Sequence, residues 1–276
     1  MTRRRPACAL LTAALAVVMV ACSTAAPPAV SAGPGAPIEA ARGLLAAAAA
    51  RFELRVDRFK PGLPDEVVAT AAGVVRPVED AGELAYHFFP EVPADDPFRM
   101  DADIVWSAAD VWVRLELDDE DDRWRHVTRE RAPEVALIGR VQEEPLALVR
   151  FAAGSDPADV RPLSDAELGG AAAERWLVPV PADAARAAYV PPDSYLGFEA
   201  IFGVDELPLE IWLVDGRLAR TGYVLEREEA PYGGPDRFET WYDWTAIGEP
   251  VAVQIPPSGE IVEIGEDEPV VSPSPG

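Results

Sequence analysis

Cys22 is the residue of this chain best placed for covalent chemistry. It stands in VVMVACSTAAPPAV, Val17 to Val30, where an apolar run gives way to small residues and proline. A cysteine thiolate is a strong nucleophile, and Cys8 is the only other thiol in the sequence. The remaining nucleophiles and bases are scattered. The two histidines are His87, between Tyr86 and Phe88, and His126, two residues after Trp124. Neither belongs to a His-x-x-x-His pair, and no Gly-x-Ser-x-Gly, Ser-x-x-Lys or Walker-type loop occurs. A lone histidine on a strand reads as structural. The run Asp118-Asp119-Glu120-Asp121-Asp122 suggests calcium, but it lacks the glycine and closing glutamate of an EF-hand loop. It reads instead as a solvated hairpin tip that discourages edge pairing. Paired carboxylates for glycoside chemistry are not selected by any pattern among so many acids. The expectation is a protein that is not an enzyme, with no cofactor and no metal site.

The front of the chain gives Cys22 its context. Arg3, Arg4 and Arg5 make a positive start, and Ala7 to Ala21 is apolar apart from Thr12, too short for a stable span. Residues 1–21 therefore read as a signal peptide. The segment Met19-Val20-Ala21-Cys22 resembles the lipobox of bacterial lipoproteins, with Met19 in place of the usual leucine. The resemblance implies cleavage before Cys22 and attachment of a diacylglyceryl group and acyl chains such as palmitate. The alternatives are an ordinary cut near Ala26, which discards Cys22, and an uncleaved anchor. Two acyl chains on one cysteine hold firmly, since each buried methylene adds about 0.8 kcal/mol and a single chain is marginal. A lipidated Cys22 would tether the protein to the cell membrane on its extracytoplasmic side. Residues 22–37, rich in Ala, Pro, Ser, Thr and Gly, read as a disordered tether. With both cysteines in or at the signal, the exported domain has no disulfide and no thiolate chemistry.

Residues 38–264 form one stretch of mixed apolar and charged sequence, compatible with a single domain, and 265–276 read as an acidic, Pro/Ser-rich tail. The chain carries 24 basic and 48 acidic residues, a net charge of −24. Loss of Arg3, Arg4 and Arg5 makes it more negative still. Such a surface repels nucleic acid and anionic headgroups.

The elements that must position any site are mostly strands. Arg51 to Phe59 alternates, with Phe52, Leu54 and Val56 on one side and Glu53, Arg55 and Asp57 on the other. This is the pattern of a sheet with one wet face. Val67–Val75, Leu84–Phe89, Ile104–Trp106, Val111–Leu117 and Trp124–Val127 continue it. So do Trp176–Val180, Leu209–Val214, Leu218–Glu226, Phe238–Thr245 and Val251–Ile255. Asp215-Gly216 between two apolar runs signals a tight hairpin. Helices are expected from Pro37 to about Ala50, after Pro133 with Val135, Ile138 and Val141, in a shorter piece with Leu148 and Phe151, and from Ala182 to Ala188. A sheet this long must curl, leaving an apolar hollow to be filled by helices or by a ligand. The seven tryptophans all fall in expected strands and read mainly as core or cross-strand packing. In the last of these, Phe238, Thr240, Tyr242 and Trp244 oppose Glu239, Trp241 and Asp243, and the pattern does not say which set faces inward.

Two stretches carry a wider resemblance. LPLEIWLVDGRLARTGYVLE, Leu207 to Glu226, and TWYDWTAIGEPVAVQIPPSGEI, Thr240 to Ile261, resemble the C-terminal half of actinobacterial LolA-like lipoproteins of the LppX/LprG type. Earlier pieces fit in order: the N-terminal helix, the Phe52 strand, Gly73, Val111-Trp112-Val113, Trp124 and the helices after Pro133. The resemblance implies an α+β fold in which a curved antiparallel sheet, a half-open barrel, has helices covering its concave face. It implies a protein that binds or transfers lipids or lipidated ligands in an apolar cavity within the envelope. Pocket positions expected on that basis are Phe52, Leu54, Val56, Val113, Leu115, Ile138, Val141 and Leu148. The rival is an envelope sensor whose sheet binds a protein or lipid signal and regulates a partner protein.

Overall fold

The computed structural model describes residues 33–91, 99–116, 123–131, 145–181, 183–185, 205–227 and 235–265. In chain order the elements are α1 (Ala36–Leu45), β1 (Ala50–Phe59), β2 (Glu66–Arg76), β3 (Ala81–Phe88), β4 (Met100–Trp106), β5 (Asp110–Glu116) and β6 (Trp124–Thr128). There follow α2 (Ala147–Gly154), β7 (Arg161–Pro162), β8 (Ala166–Leu168), β9 (Ala171–Pro181), β10 (Glu206–Val214), β11 (Arg217–Arg227), β12 (Asp236–Thr245) and β13 (Ile261–Glu263).

The strands make one curved sheet that does not close, in the order β13-β6-β5-β4-β3-β2-β1-β12-β11-β10-β9-β7, with β8 on β9. Two antiparallel meanders, β1 to β6 and β9 to β12, meet where β12 pairs with β1 from Arg51↔Thr245 to Phe59↔Arg237. Both edges end in short strands, two residues in β7 and three in β13, which limits pairing with other chains. The Asp215-Gly216 turn joins β10 to β11. Its residues have φ of 51° and 72°, the left-handed pair a two-residue hairpin turn demands.

Alternation sets the faces. In β1 the inner residues Phe52 and Leu54 are buried while Arg51, Glu53 and Arg55 are exposed. One cluster of buried apolar side chains joins the inner face of the sheet to Ile38, Ala41 and Leu44 of α1 and to Leu148, Val149 and Ala152 of α2. The two helices pack on each other and chiefly on β10 and β11. A second, smaller cluster of Val105, Trp112 and Trp124 lies on the outer face, packed against Val253 and Ile261.

Two expectations need correction. The first helix stops at Leu45, not near Ala50, because the Ala49 carbonyl accepts from Gly248 N at 2.8 Å and Ala50 pairs with Val75. Sheet pairing overrides the helical propensity of alanine there. Val251–Ile255 is not a strand. Pro250, Pro256 and Pro257 lack the N–H a ladder needs, and the chain from 251 to 257 instead runs as an extended strap to a 3-10 turn, Ser258–Glu260, and then β13. The expected helix after Pro133 and the acidic tip at 118–122 lie outside the described residues, while residues 183–185 of the expected Ala182–Ala188 piece are helical.

Candidate functional site

The inner face is built from rows of residues that the strand registers place side by side. One row runs Tyr242, Leu54, Ala71, Tyr86, Ala102, Leu115 from β12 through β5. The next runs Trp244, Phe52, Gly73, Leu84, Ile104, Val113. A third holds Thr240, Val56, Ala69, Phe88 and Met100. In these rows central β2 presents Ala69, Ala71 and Gly73 inward, between larger side chains on either side, and Val75 continues the same face. Gly73 is required by closeness: a Cβ there would stand 2.9 Å from the Phe52 ring and overlap the Glu83 carbonyl.

Phe52, Leu54, Val113, Leu115 and Leu148 all belong to the single inner cluster and are at most 6% exposed, and Val56 packs against it partly buried. The structure therefore brings these expected positions together. Ile138, Val141 and Cys22 lie outside the described residues. Pattern reading missed the share of the inner face supplied by the second meander: Val178, Leu209, Ile211, Leu213, Tyr223 and Leu225. The alternation of Leu207 to Leu213 was a signal that could have found them.

The face carries few charges, Arg58 and Asp236 at one rim and Arg125, opposite Val113, at the β6 edge. Among the described buried residues the polar or charged ones are Thr221, Asp236 and Thr240. Trp244 Nε1 donates to Thr221 Oγ1 at 3.0 Å, and the Phe52 ring lies 5.9 Å from Tyr242 and 5.8 Å from Trp244. Asp236 accepts from Arg58 Nη2 at 2.7 Å and Nε at 3.1 Å, closing β12 onto β1 at one rim. The outer face carries the opposite chemistry. Arg175 pairs with Glu210 at 2.8 Å and lies 4.7 Å from the Trp212 ring. Arg220 pairs with Asp243 at 2.5 Å and sits 5.4 Å from both Trp212 and Trp241.

Burial is uneven along the inner face. Phe52, Leu84 and Ile104 are buried, whereas Val56, Phe88 and Met100, toward the Phe59–Glu66 end, are only partly so. At that rim is a cavity of about 380 Å³ bordered by the charged Arg58, Lys60, Asp65, Glu66 and Glu91 and by Leu63, Val67 and Phe89, with Leu63 60% exposed. A larger cavity of about 630 Å³ lies under the strap on the outer face, beside Val74, Val105, Arg114, Trp124, Ile255 and Pro256. Of the expected pocket positions Leu54, Val56, Val113, Leu115 and Leu148 line neither, and Phe52 borders the outer one alone. Among the described residues no group of three or more His, Cys, Asp or Glu is placed to hold a metal ion, and no helix is long and apolar enough to cross a membrane.

No protein-family model matches the chain, and no curated protein matches its sequence. Solved structures do. The lipoprotein LppX of Mycobacterium tuberculosis is 14% identical with a TM-score of 0.44, covering 79% of this chain and 98% of its own. LprF of Mycobacterium bovis is 12% identical with a TM-score of 0.47, covering 81% and 96%. A LolA superfamily protein of Nitrosomonas europaea is 8% identical with a TM-score of 0.29, covering 83% and 97%. The structural neighbours of this chain thus include a mycobacterial lipoprotein and a LolA superfamily protein.

Proposed function

We propose that this protein is a membrane-tethered lipoprotein of the bacterial envelope, anchored through Cys22, that binds or transfers lipids along the inner face of its sheet. The observation that carries the reading is the continuous, largely apolar inner face, which passes from full burial at Phe52 to partial burial at Val56, Phe88 and Met100, toward the rim where Arg58 borders a cavity. Acyl chains would enter at that rim and lie over Ala69 and Ala71, with the covering segments moving aside. Each methylene leaving water gains about 0.8 kcal/mol. The ring-lined seam of Phe52, Tyr242 and Trp244 would end the trough.

A charge placed in this path opposes acyl chains directly. Val56→Asp and Phe88→Asp at the partly buried rim, and Leu54→Asp deeper, are expected to retain the far-ultraviolet signal of the sheet. Uptake of a fluorescent acyl-chain probe is expected to fall by about tenfold or more, while the outer-face change Arg55→Ser leaves it unchanged. If all three folded Asp variants take up the probe like the parent, the inner face is not the binding site.

A further inference from the structure

His126 sits where the outer edge of the sheet is fastened. β13 lies parallel to β6 through Ile261↔Trp124, Val262↔Arg125 and Glu263↔His126. The His126 ring stacks on Trp112, centroids 5.4 Å apart and planes 24° apart. Its Nδ1 is 2.6 Å from Glu263 Oε2, and its Nε2 is 2.9 Å from Asp110 Oδ1. A neutral imidazole has one N–H and one lone pair, and an ionised carboxylate only accepts. Both contacts are therefore hydrogen bonds only when the ring carries two protons and donates to each side.

The charged groups that contact the ring come from β5 and β13, and both are acids. The arginines after β6 are aimed elsewhere. Arg129 donates to the Ser107 carbonyl at 3.1 Å and lies 3.4 Å from Asp80, and Arg131 donates to the carbonyls of Ile264 and Gly265 at 3.3 and 3.2 Å. Arg125 lies on the other face of the strand. Burial alone would lower the pKa of His126, but the hydrogen bonds to Glu263 and Asp110 outweigh it and hold the pKa above the ordinary 6.5.

We propose that Asp110, His126 and Glu263 form a proton-operated clasp: the imidazolium fastens the C-terminal strap, residues 251–265, across the outer face, and loss of its second proton unfastens it. The strap covers Val105, Trp112 and Trp124 and roofs the outer cavity of about 630 Å³ with Gln254, Ile255 and Pro256. Its far end is held more lightly, by Gln254 N donating to Glu83 Oε2 at 3.0 Å. Glu263 is 76% exposed, so solvent screens its share of the clasp and keeps it weak enough to open. Because the folded pKa is raised, the fastening is complete below about pH 6.5 and is lost as pH rises through the folded value. Opening uncovers an aromatic outer surface, so pH would set whether that surface is available.

The test is hydrogen exchange on the full exported chain bearing Cys22→Ala, followed as protection factors at Gln254 and Ile264 from pH 5.5 to 8.5, with central β1 amides as the internal standard. The account expects several-fold loss of protection at both strap amides as pH rises and no change in β1. The His126 ring, followed by NMR, should titrate above 6.5. His126→Gln should give weak, pH-independent strap protection, and Glu263→Gln, at an exposed position, should move the ring titration down. Strap protection that does not depend on pH, a ring titrating at or below 6.5, or a pH step that survives in His126→Gln would each overturn the proposal.

Discussion

Arg58 and Asp236 show what single side chains contribute at the rim. The Asp236 side chain is 1% exposed and the Arg58 side chain 14%, and Arg58 also lies 5.1 Å from the Phe238 ring. Removing one partner of a buried pair strands the other charge, a loss of about 3–5 kcal/mol. Arg58→Met is expected to lower stability to urea by about that amount, and adding Asp236→Leu to recover a large part of it. If Arg58→Met unfolds at the parent's midpoint, the pair is not an essential fastening. At this scale the sequence was legible where polarity alternates cleanly, as at Phe52-Glu53-Leu54-Arg55. It was not legible in β12, where both faces carry aromatics. The structure turns Phe238, Tyr242 and Trp244 inward, while Trp241 stays outside under Arg220 and donates to Glu239 at 3.1 Å. An arginine on an indole face lets a large apolar ring remain at the surface, and the arginine's position in another strand is invisible in the local pattern. His126 shows the same limit. Its partners lie 16 residues before it and 137 after it in the chain, so no local spacing marks it.

Among elements, the strands were the most readable and the strap the least. The strand cores fall where alternation places them, and the Asp215-Gly216 turn is where its residue types require. Pro250, Pro256 and Pro257 marked the segment after β12 as unfit for a ladder, yet Val251, Val253 and Ile255 imitate an alternating strand. Here Val253 packs against Trp112 and Trp124 while Ile255 is 59% exposed. The strap acts as a cover held by an apolar patch and by β13. Ending the chain after Pro250 would expose Val105, Trp112 and Trp124, each now at most 9% exposed. A tryptophan emission shift to longer wavelength is expected, with a stability loss of about 2–4 kcal/mol from the apolar surface returned to water and little change in the far-ultraviolet signal. Unaltered emission after truncation would mean that the strap does not shield those rings. Residues 22–32 of the expected tether and the expected helix after Pro133, with Ile138 and Val141, lie outside the described residues, while Ala36 and Pro37, expected in the tether, are buried in α1; the cover over the β1–β5 half of the inner face is part of the proposal.

At the scale of the whole molecule the two faces of one sheet divide the work. Among the described residues acids pair with arginines across strands on the outer face, and the inner face is left largely apolar for the helices and, in our reading, for acyl chains. Sequence composition conveyed this division well. Any volume between the inner face and its cover depends on how that cover seats against Ala69, Ala71 and Ala102, a property of packing that no pattern encodes. The central claim is that the inner face takes lipid, and the most direct measurement is native mass spectrometry of residues 22–276 bearing Cys22→Ala, purified without detergent from a bacterial host and then offered lipids. The account predicts a discrete added mass that leaves as a lipid on activation and that Val56→Asp fails to retain. A bare protein mass before and after exposure to lipids would contradict it.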